Sequence, residues 1–233
     1  MPHRSFLPVS IYKREQAAIS RRSLVTITLF YPTFAIVVLV LGLRSGHPYQ
    51  ALAWFFLGGL PVWTLVEYTS HRWVFHKHWP ISKRPIKKYF TYLSNYFLEP
   101  THFGHHDRPF DGTHINGRLR DLMPVFVPAV AFCWFFPIYT LMTLLGGVVF
   151  FYVAEEWIHH CEHYYNFRNR YFKHIKKYHL YHHTSGGALG GYGITNAFWD
   201  VIFASRLPRE VRDRLFGRKE TAPRAKSQQV RST

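Results

Sequence analysis

Apolar and polar residues are segregated into long blocks along this chain. Residues 24–43 (LVTITLFYPTFAIVVLVLGL) carry no charge, and roughly 20 such residues suffice for a helix to cross the hydrocarbon core of a bilayer. Pro32 lies inside this block, and proline is tolerated in membrane helices. A second apolar block, residues 51–68, follows the short turn 44–50. The two blocks are predicted to form a helical hairpin.

The third apolar block, residues 124–154, is 31 residues long and uncharged. It is too long for one upright span and slightly short for two, given roughly 20 residues per span. Pro137 near its middle predicts a break. We therefore expect a second hairpin whose last helix continues through Glu155 into a histidine-rich segment. A single tilted helix is the alternative interpretation.

The distribution of charge predicts how the spans are oriented. Residues 1–23, 70–121 and 206–233 are each net positive, and the positive-inside rule places such segments in the cytoplasm. Four spans in two hairpins place all three basic segments on the cytoplasmic side, so the chain is predicted to be an all-α integral membrane protein. Residues 1–23 then form a basic cytosolic segment, and 206–233 a basic, partly disordered tail.

Composition narrows the class of protein. The net charge of +16 is compatible with binding to nucleic acid or to anionic lipid. The hydrophobic fraction of 48% and the aromatic fraction of 18% are high for a basic nucleic-acid-binding module, so no nucleic-acid partner is expected. The two cysteines, Cys133 in an apolar block and Cys161 among histidines, predict no disulfide and a reducing compartment. No cleavable signal peptide is expected.

Fourteen of the sixteen histidines lie between positions 71 and 183, and ten of them fall into four spaced boxes. Residues three and four apart share one face of a helix, so boxes two, three and four can each direct two or three imidazoles to a common point. Neutral imidazole binds iron, zinc, copper and nickel, and ten imidazoles exceed the needs of one ion. Two metal ions are therefore predicted. Histidines that only contact lipid at the membrane surface would not need the repeated spacing. Box one is His71 and His76, box two His102, His105 and His106, box three His159 and His163, and box four His179, His182 and His183.

Several residues near the boxes have predicted supporting roles. Four acids, Glu67, Glu156, Asp107 and Asp111, are placed to accept the second N–H of ligating histidines. The remaining histidines of this region, His78, His114, His160 and His174, break the spacing and are interpreted as interfacial or supporting. The glycine-rich segment 186–193 lacks the G-K-[ST] of a phosphate loop, so we expect a tight turn over the site or over the substrate entry.

The motifs 67-EYTSHRWVFH-76, 102-HFGHHDRPFD-111, 159-HHCEH-163 and 176-KKYHLYHH-183, followed by 192-YGITNAFWDVIF-203, resemble the fatty acid hydroxylase and sterol desaturase superfamily. Among its members they are most similar to fatty acid 2-hydroxylases, over roughly residues 50–205. The resemblance implies a membrane domain, residues 24–205, capped by a cytosolic helical domain in which the ten box histidines bind two metal ions. It further implies iron as the metal (zinc can occupy such a site in purified protein), O2 as co-substrate and an external electron donor.

The function implied is hydroxylation of a lipid acyl chain, at the 2-position of a fatty acid or of a sphingolipid fatty acyl group. Oxidation or desaturation of sterols, carotenoids or alkyl lipids is the alternative within the superfamily, and a membrane metal-binding or transport protein is the alternative outside it. Three features depart from the family pattern: Glu156 stands where an aspartate is usual, the run 112–124 differs, and no haem-binding domain is fused at the N-terminus. Electrons are therefore expected from a separate protein. The histidines are placed on the cytoplasmic face of a bacterial inner membrane or of the endoplasmic reticulum, and the oligomeric state is left open.

Overall fold

The computed structural model describes residues 9–77, 79–95, 99–184 and 189–217, and within these ranges the regular structure is helical, with no strand. The predicted all-α class is confirmed for this part of the chain. The π-helical segments Ala53–Gly58, His71–Phe75 and Ile138–Met142 adjoin the α-helices. The α-helices are α1 (Val9–Arg44), α2 (Pro48–Leu52), α3 (Gly59–Ser70), α4 (Pro85–Leu93), α5 (Glu99–Asp107), α6 (Leu119–Cys133), α7 (Thr143–Tyr164), α8 (Arg170–His182), α9 (Phe198–Ile202) and α10 (Arg209–Phe216).

In the part of the chain that the structure describes, three stretches of continuous helix are long and apolar enough to cross a membrane: Ser10–Arg44, Pro48–Phe75 and Ile138–Tyr164. Helix α6 has 15 residues and spans about 22 Å, short of the roughly 30 Å hydrocarbon core. The four-span count therefore stays a prediction. The break predicted at Pro137 is present, since its backbone is extended (ψ 135°) between α6 and the last long helix. As expected, α7 continues through the third histidine box.

From Leu24 to Leu43, helix α1 is apolar on all sides, as expected for a helix in contact with lipid. Leu24, Ile27 and Tyr31 are fully buried, whereas Val25 and Leu29 between them are 51% and 67% exposed. The buried side packs mainly against α7, and Tyr31 makes edge-to-face contacts with Phe126 and Tyr152. The core of the bundle comprises Leu24, Ile27, Tyr31, Ala35, Phe55, Phe126, Val149, Tyr152 and Val153.

The second and third long helices approach each other closely through glycine. A β-carbon on Gly59 would lie 2.8 Å from the backbone of Gly147, and one on Gly147 would overlap the carbonyl of Phe55. Small residues permit this kind of backbone contact between membrane helices. The contact fixes α3, which leads directly into the first histidine box, against α7, which carries the third.

The first turns of α1 support the polar region that holds the histidines. Helix α1 begins at Val9 and runs without interruption across the predicted boundary between residues 23 and 24. Gln16 Oε1 accepts a hydrogen bond from Gly112 N (2.9 Å), and Asn116 Nδ2 donates one to Ser20 O (3.0 Å). Of the predicted basic tail, α10 covers residues 209–216, and residues 218–233 lie outside the described ranges.

Candidate metal centre

The ten box histidines are brought together into two adjacent groups. In group one, the donor nitrogens of all five histidines lie within 4.8 Å of one another. The same is true of four histidines of group two, namely His71, His76, His102 and His106. His182 joins group two because its Nε2 lies 2.9 Å from that of His76. Group one consists of His105, His159, His163, His179 and His183, and group two of His71, His76, His102, His106 and His182.

Helices α5 and α8 each contribute to both groups. In boxes two and four, the histidines four residues apart enter one group together, whereas the middle histidine enters the other group. The sequence prediction that boxes two, three and four each direct two or three imidazoles to one point therefore holds for two histidines of each box. Because both helices are shared, the groups are neighbours, with 4.5 Å between the ring centroids of His106 and His183.

Box one depends on a π-helical turn. His71 and His76 are five residues apart, a spacing that on an α-helix would place them on different faces. The segment His71–Phe75 is π-helical, with hydrogen bonds from residue i to i+5, so residues five apart lie nearly above one another. The two rings are 5.0 Å apart. The local helix type thus completes group two.

The donor set fits metal ions better than it fits a hydrogen-bonded cluster of imidazoles. In group one, His159 Nε2 lies 3.1 Å from His105 Nε2 and 3.2 Å from His163 Nε2, and His163 Nε2 lies 3.0 Å from His179 Nε2. A ring nitrogen of a neutral imidazole has either one proton or one lone pair, so it cannot make two such hydrogen bonds well. Nitrogens about 2.1 Å from a shared ion, at right angles to each other, are about 3.0 Å apart.

The rings are also held in the form that binds metal. Burial, reinforced by the neighbouring imidazoles, lowers the pKa of His76 to about 3 and that of His106 to about 4. The same causes lower the pKa values of His105 and His179. Neutral imidazole is the metal-binding form, so both groups are ready to bind metal at neutral pH.

Two ligand candidates of group two are oriented by a loop, residues 189–197, which we call the 190s loop. His71 Nδ1 donates to the Tyr192 carbonyl (2.5 Å) and His182 Nδ1 to the Gly190 carbonyl (2.8 Å). A carbonyl only accepts, so the proton is fixed on Nδ1 and the Nε2 lone pair faces the group. Gly191 adopts φ +74°, a conformation that favours glycine. The tight turn predicted for residues 186–193 stays a prediction. Residues 185–188 lie outside the described ranges.

The acids predicted to support the histidines have other partners. Glu67 accepts hydrogen bonds from the backbone N–H groups of residues 194 and 195 (2.7 and 2.9 Å), and Glu156 accepts one from Gly117 N (3.0 Å). Asp111 binds Thr113 and forms an ion pair with the Arg108 guanidinium (3.1 Å). Asp107 is exposed.

Sequence reasoning missed one acid, Asp200. Its side chain is fully buried and accepts hydrogen bonds from Tyr192 N (3.0 Å), Gly193 N (2.9 Å) and Ser205 Oγ (2.7 Å). The available signal was a lone acid inside the apolar run 198-FWDVIF-203, where an unpaired charge would be costly.

Among the described residues, the histidines outside the boxes do not enter either group. His160 Nδ1 lies 2.7 Å from Ser20 Oγ, and His174 contacts Phe216 with 4.1 Å between ring centroids. The Nδ1 of His114 lies 2.7 Å from Thr113 Oγ1. His78 lies outside the described ranges.

A cavity of about 200 Å³ adjoins both groups. Val66 lines it and is 38% exposed on α3, one of the helices that can cross a membrane, so the cavity reaches that surface. A neighbouring cavity of about 530 Å³ shares Trp63 and Glu155 with the first. The lining of the smaller cavity includes the apolar side chains of Trp63, Val66, Phe75, Ile115 and Leu122 and the imidazoles of His71, His102, His105 and His159.

Comparison with known proteins finds relatives that share most of the chain. The chain is 32% identical over 178 residues to the dihydroceramide fatty acyl 2-hydroxylase FAH2 of Arabidopsis thaliana, and the match covers 72% of this chain and 67% of that protein. It is 32% identical to the ceramide very long chain fatty acid hydroxylase scs7 of Schizosaccharomyces pombe and 28% identical to the fatty acid 2-hydroxylase of Mus musculus. Those matches cover 70% and 69% of this chain but only 45% and 41% of the two relatives.

The fold and the sequence profile lead to one family. The structure of full-length scs7p, in which only the hydroxylase domain is visible, matches with a TM-score of 0.63 and 25% identity, covering 80% of this chain and 67% of that one. The profile of the fatty acid hydroxylase family matches residues 55–205, the range that contains all four histidine boxes. The predicted resemblance is therefore confirmed, and the chain belongs to the fatty acid hydroxylase family.

Proposed function

We propose that this protein is a membrane-bound dimetal oxygenase that hydroxylates a lipid acyl chain at the 2-position, on a fatty acid or on the fatty acyl group of a sphingolipid. The observation that carries the proposal is the pair of five-histidine groups beside an apolar cavity. The 2-position and the lipid class come from relatives named fatty acid 2-hydroxylase and dihydroceramide fatty acyl 2-hydroxylase.

The ten box histidines are the proposed ligands of two iron ions. When bound, the irons supply O2 activation, which acid–base side chains cannot provide for an unactivated C–H bond. One oxygen atom of O2 enters the C–H bond as hydroxyl and the other leaves as water. This balance takes up two electrons and two protons, and the electrons come from a separate donor protein. Zinc is expected to occupy the same nitrogens in some purified samples.

The cavity is the proposed site of the acyl chain. Its apolar walls accept hydrocarbon and exclude water from the reacting carbon. Glu156 holds the backbone of Gly117, and Asp111 holds Thr113, so both acids fix the loop 111–118 that forms one wall through Ile115 and Gly117. Access through the surface of α3 at Val66 lets a lipid enter laterally from the bilayer.

The two groups are proposed to lie on the cytoplasmic side of the membrane. The segments that flank them are net basic, as the positive-inside rule requires for that side. This orientation also exposes the centre to a soluble or membrane-bound electron donor in the cytoplasm. A bacterial inner membrane and the endoplasmic reticulum both provide this geometry.

The proposed function is tested by lipid analysis of cells that express the protein under 18O2. Mass spectrometry should show 2-hydroxy fatty acyl groups carrying one 18O atom, and these should be absent from cells with an empty vector. Hydroxylation at another carbon, desaturation without oxygen incorporation, or label derived from water would each contradict the proposal.

A further inference from the structure

The 190s loop is held by two buried carboxylates that come from different parts of the chain. Asp200, on α9, binds the N–H groups of Tyr192 and Gly193 through separate oxygens, Oδ1 and Oδ2. Glu67, on α3, binds the N–H groups of residues 194 and 195 through Oε1 and the Thr195 hydroxyl through Oε2. Four consecutive backbone N–H groups of the loop are therefore fixed by carboxylates.

The carbonyls of the same loop orient group two. Tyr192 donates its N–H to Asp200 and accepts His71 Nδ1–H with its carbonyl. The Gly190 carbonyl accepts His182 Nδ1–H, and Gly191 N donates to Ser205 O (2.8 Å), which fastens this end of the loop as well. The loop has little room to adapt, because a β-carbon on Gly193 would lie 1.8 Å from Asn196 O. A displaced loop would rotate both rings.

Group one is supported from elsewhere in the chain: His163 makes a backbone hydrogen bond to Pro109, outside the 190s loop. The buried Nδ1 atoms of His105, His179 and His183 have no hydrogen-bond partner in the ranges that the structure describes. His105 lies on α5, His179 on α8 and His183 directly after α8, so none of these rings belongs to the 190s loop. A change in the 190s loop should therefore act on one group and leave the other in place.

We propose that Asp200 and Glu67 are positioning residues for the metal ion of group two, acting through the carbonyls of the 190s loop. This inference rests on the proposed function, because it assumes that both groups bind metal. It also gives Glu67 a role at one remove from the imidazoles, in place of the direct contact predicted from the sequence.

Amide substitutions at the two acids should have different effects. Asparagine at position 200 has one acceptor oxygen, so one of the two N–H groups that Asp200 binds would face an NH2 group and lose its partner. Glutamine at position 67 keeps an oxygen for both backbone N–H groups, and its NH2 can donate to Thr195 Oγ1. Asp200→Asn should therefore disturb the loop, whereas Glu67→Gln should be tolerated.

The test measures metal retention in the purified, iron-loaded protein during incubation with a chelator. Wild type should start with about two ions per chain, and Asp200→Asn should release one of them at least about 10-fold faster, the range expected when support of a metal ligand is lost. Glu67→Gln and the exposed control Asp213→Asn should match wild type. Adding Asp200→Asn to His76→Ala, which already lacks a group-two ligand, should change release no further.

Three outcomes are decisive. Release of both ions together in Asp200→Asn, or retention of both at the wild-type rate, would overturn the inference, since a merely structural role destabilises both groups alike. If Asp200→Asn does not fold, Glu67→Ala leaves the Asp200 contacts in place and carries the same expectation of one fast ion. A wild-type protein that binds fewer than two ions would instead defeat the proposed function.

Discussion

Replacing His105 with alanine should lower hydroxylase activity by at least about 100-fold and reduce bound metal by about one ion per chain. Losing a residue that supports a metal ligand typically costs about 10- to 100-fold in metal affinity or activity, and losing the ligand itself should cost more. His105 is 3% exposed, and its Nε2 lies 3.1 Å from that of His159. Its ring also lies 4.3 Å from that of His183. Removing it takes a donor from the middle of group one. Activity and metal content of the purified variant give the answer.

The matched control is His47→Ala. His47 stacks on Tyr139, with 4.0 Å between ring centroids, and it precedes helix α2 far from both groups in the chain. This variant should retain wild-type metal content and activity. Equal behaviour of the two variants, whether both active or both inactive, would contradict the assignment of His105 to a metal site.

Val66→Trp should reduce kcat/KM for the lipid substrate by at least about 10-fold, equivalent to about 1.4 kcal/mol, while the protein keeps its full metal content. Val66 lines the cavity of about 200 Å³ beside the histidines. An indole in place of the isopropyl group fills the space that the acyl chain is proposed to occupy. Product formation in reconstituted vesicles, measured together with metal content, separates blocked access from loss of the metal site.

Val62→Trp provides the comparison for this effect. Val62 lies one turn earlier on α3, is the same residue type, and is 39% exposed against 38% for Val66. It should behave like wild type because the added ring extends toward lipid. If Val66→Trp is as active as Val62→Trp, the substrate does not use this cavity.

Features that depend on local pattern were predictable from the sequence. Long apolar blocks identified the helices, Pro137 identified the break after α6, and repeated spacing identified all ten histidines that the structure assembles. Periodicity of an α-helix also predicted that boxes two, three and four each direct at least two imidazoles to one point, but not that the middle histidine of boxes two and four enters the other group. It did not predict the π-helical turn at His71, because nothing in the local spacing distinguishes a π-turn from an α-helix.

Long-range pairing was beyond the sequence. Glu67 and Ile194 are separated by 127 positions, and His71 and Tyr192 by 121, so no spacing rule connects them. Chemistry predicted that buried acids near the boxes must have donors, and backbone N–H groups satisfied that need in place of imidazole N–H groups. Asp200 was missed for the same reason, since its partners belong to a loop whose position only the fold determines.

The most direct test of the account is an anomalous-scattering map at the iron edge from crystals of the anaerobically purified protein. The account predicts two separate peaks per chain, one in each histidine group, each about 2.0–2.2 Å from several Nε2 atoms. A single peak, or none with the ten imidazoles still in place, would contradict it.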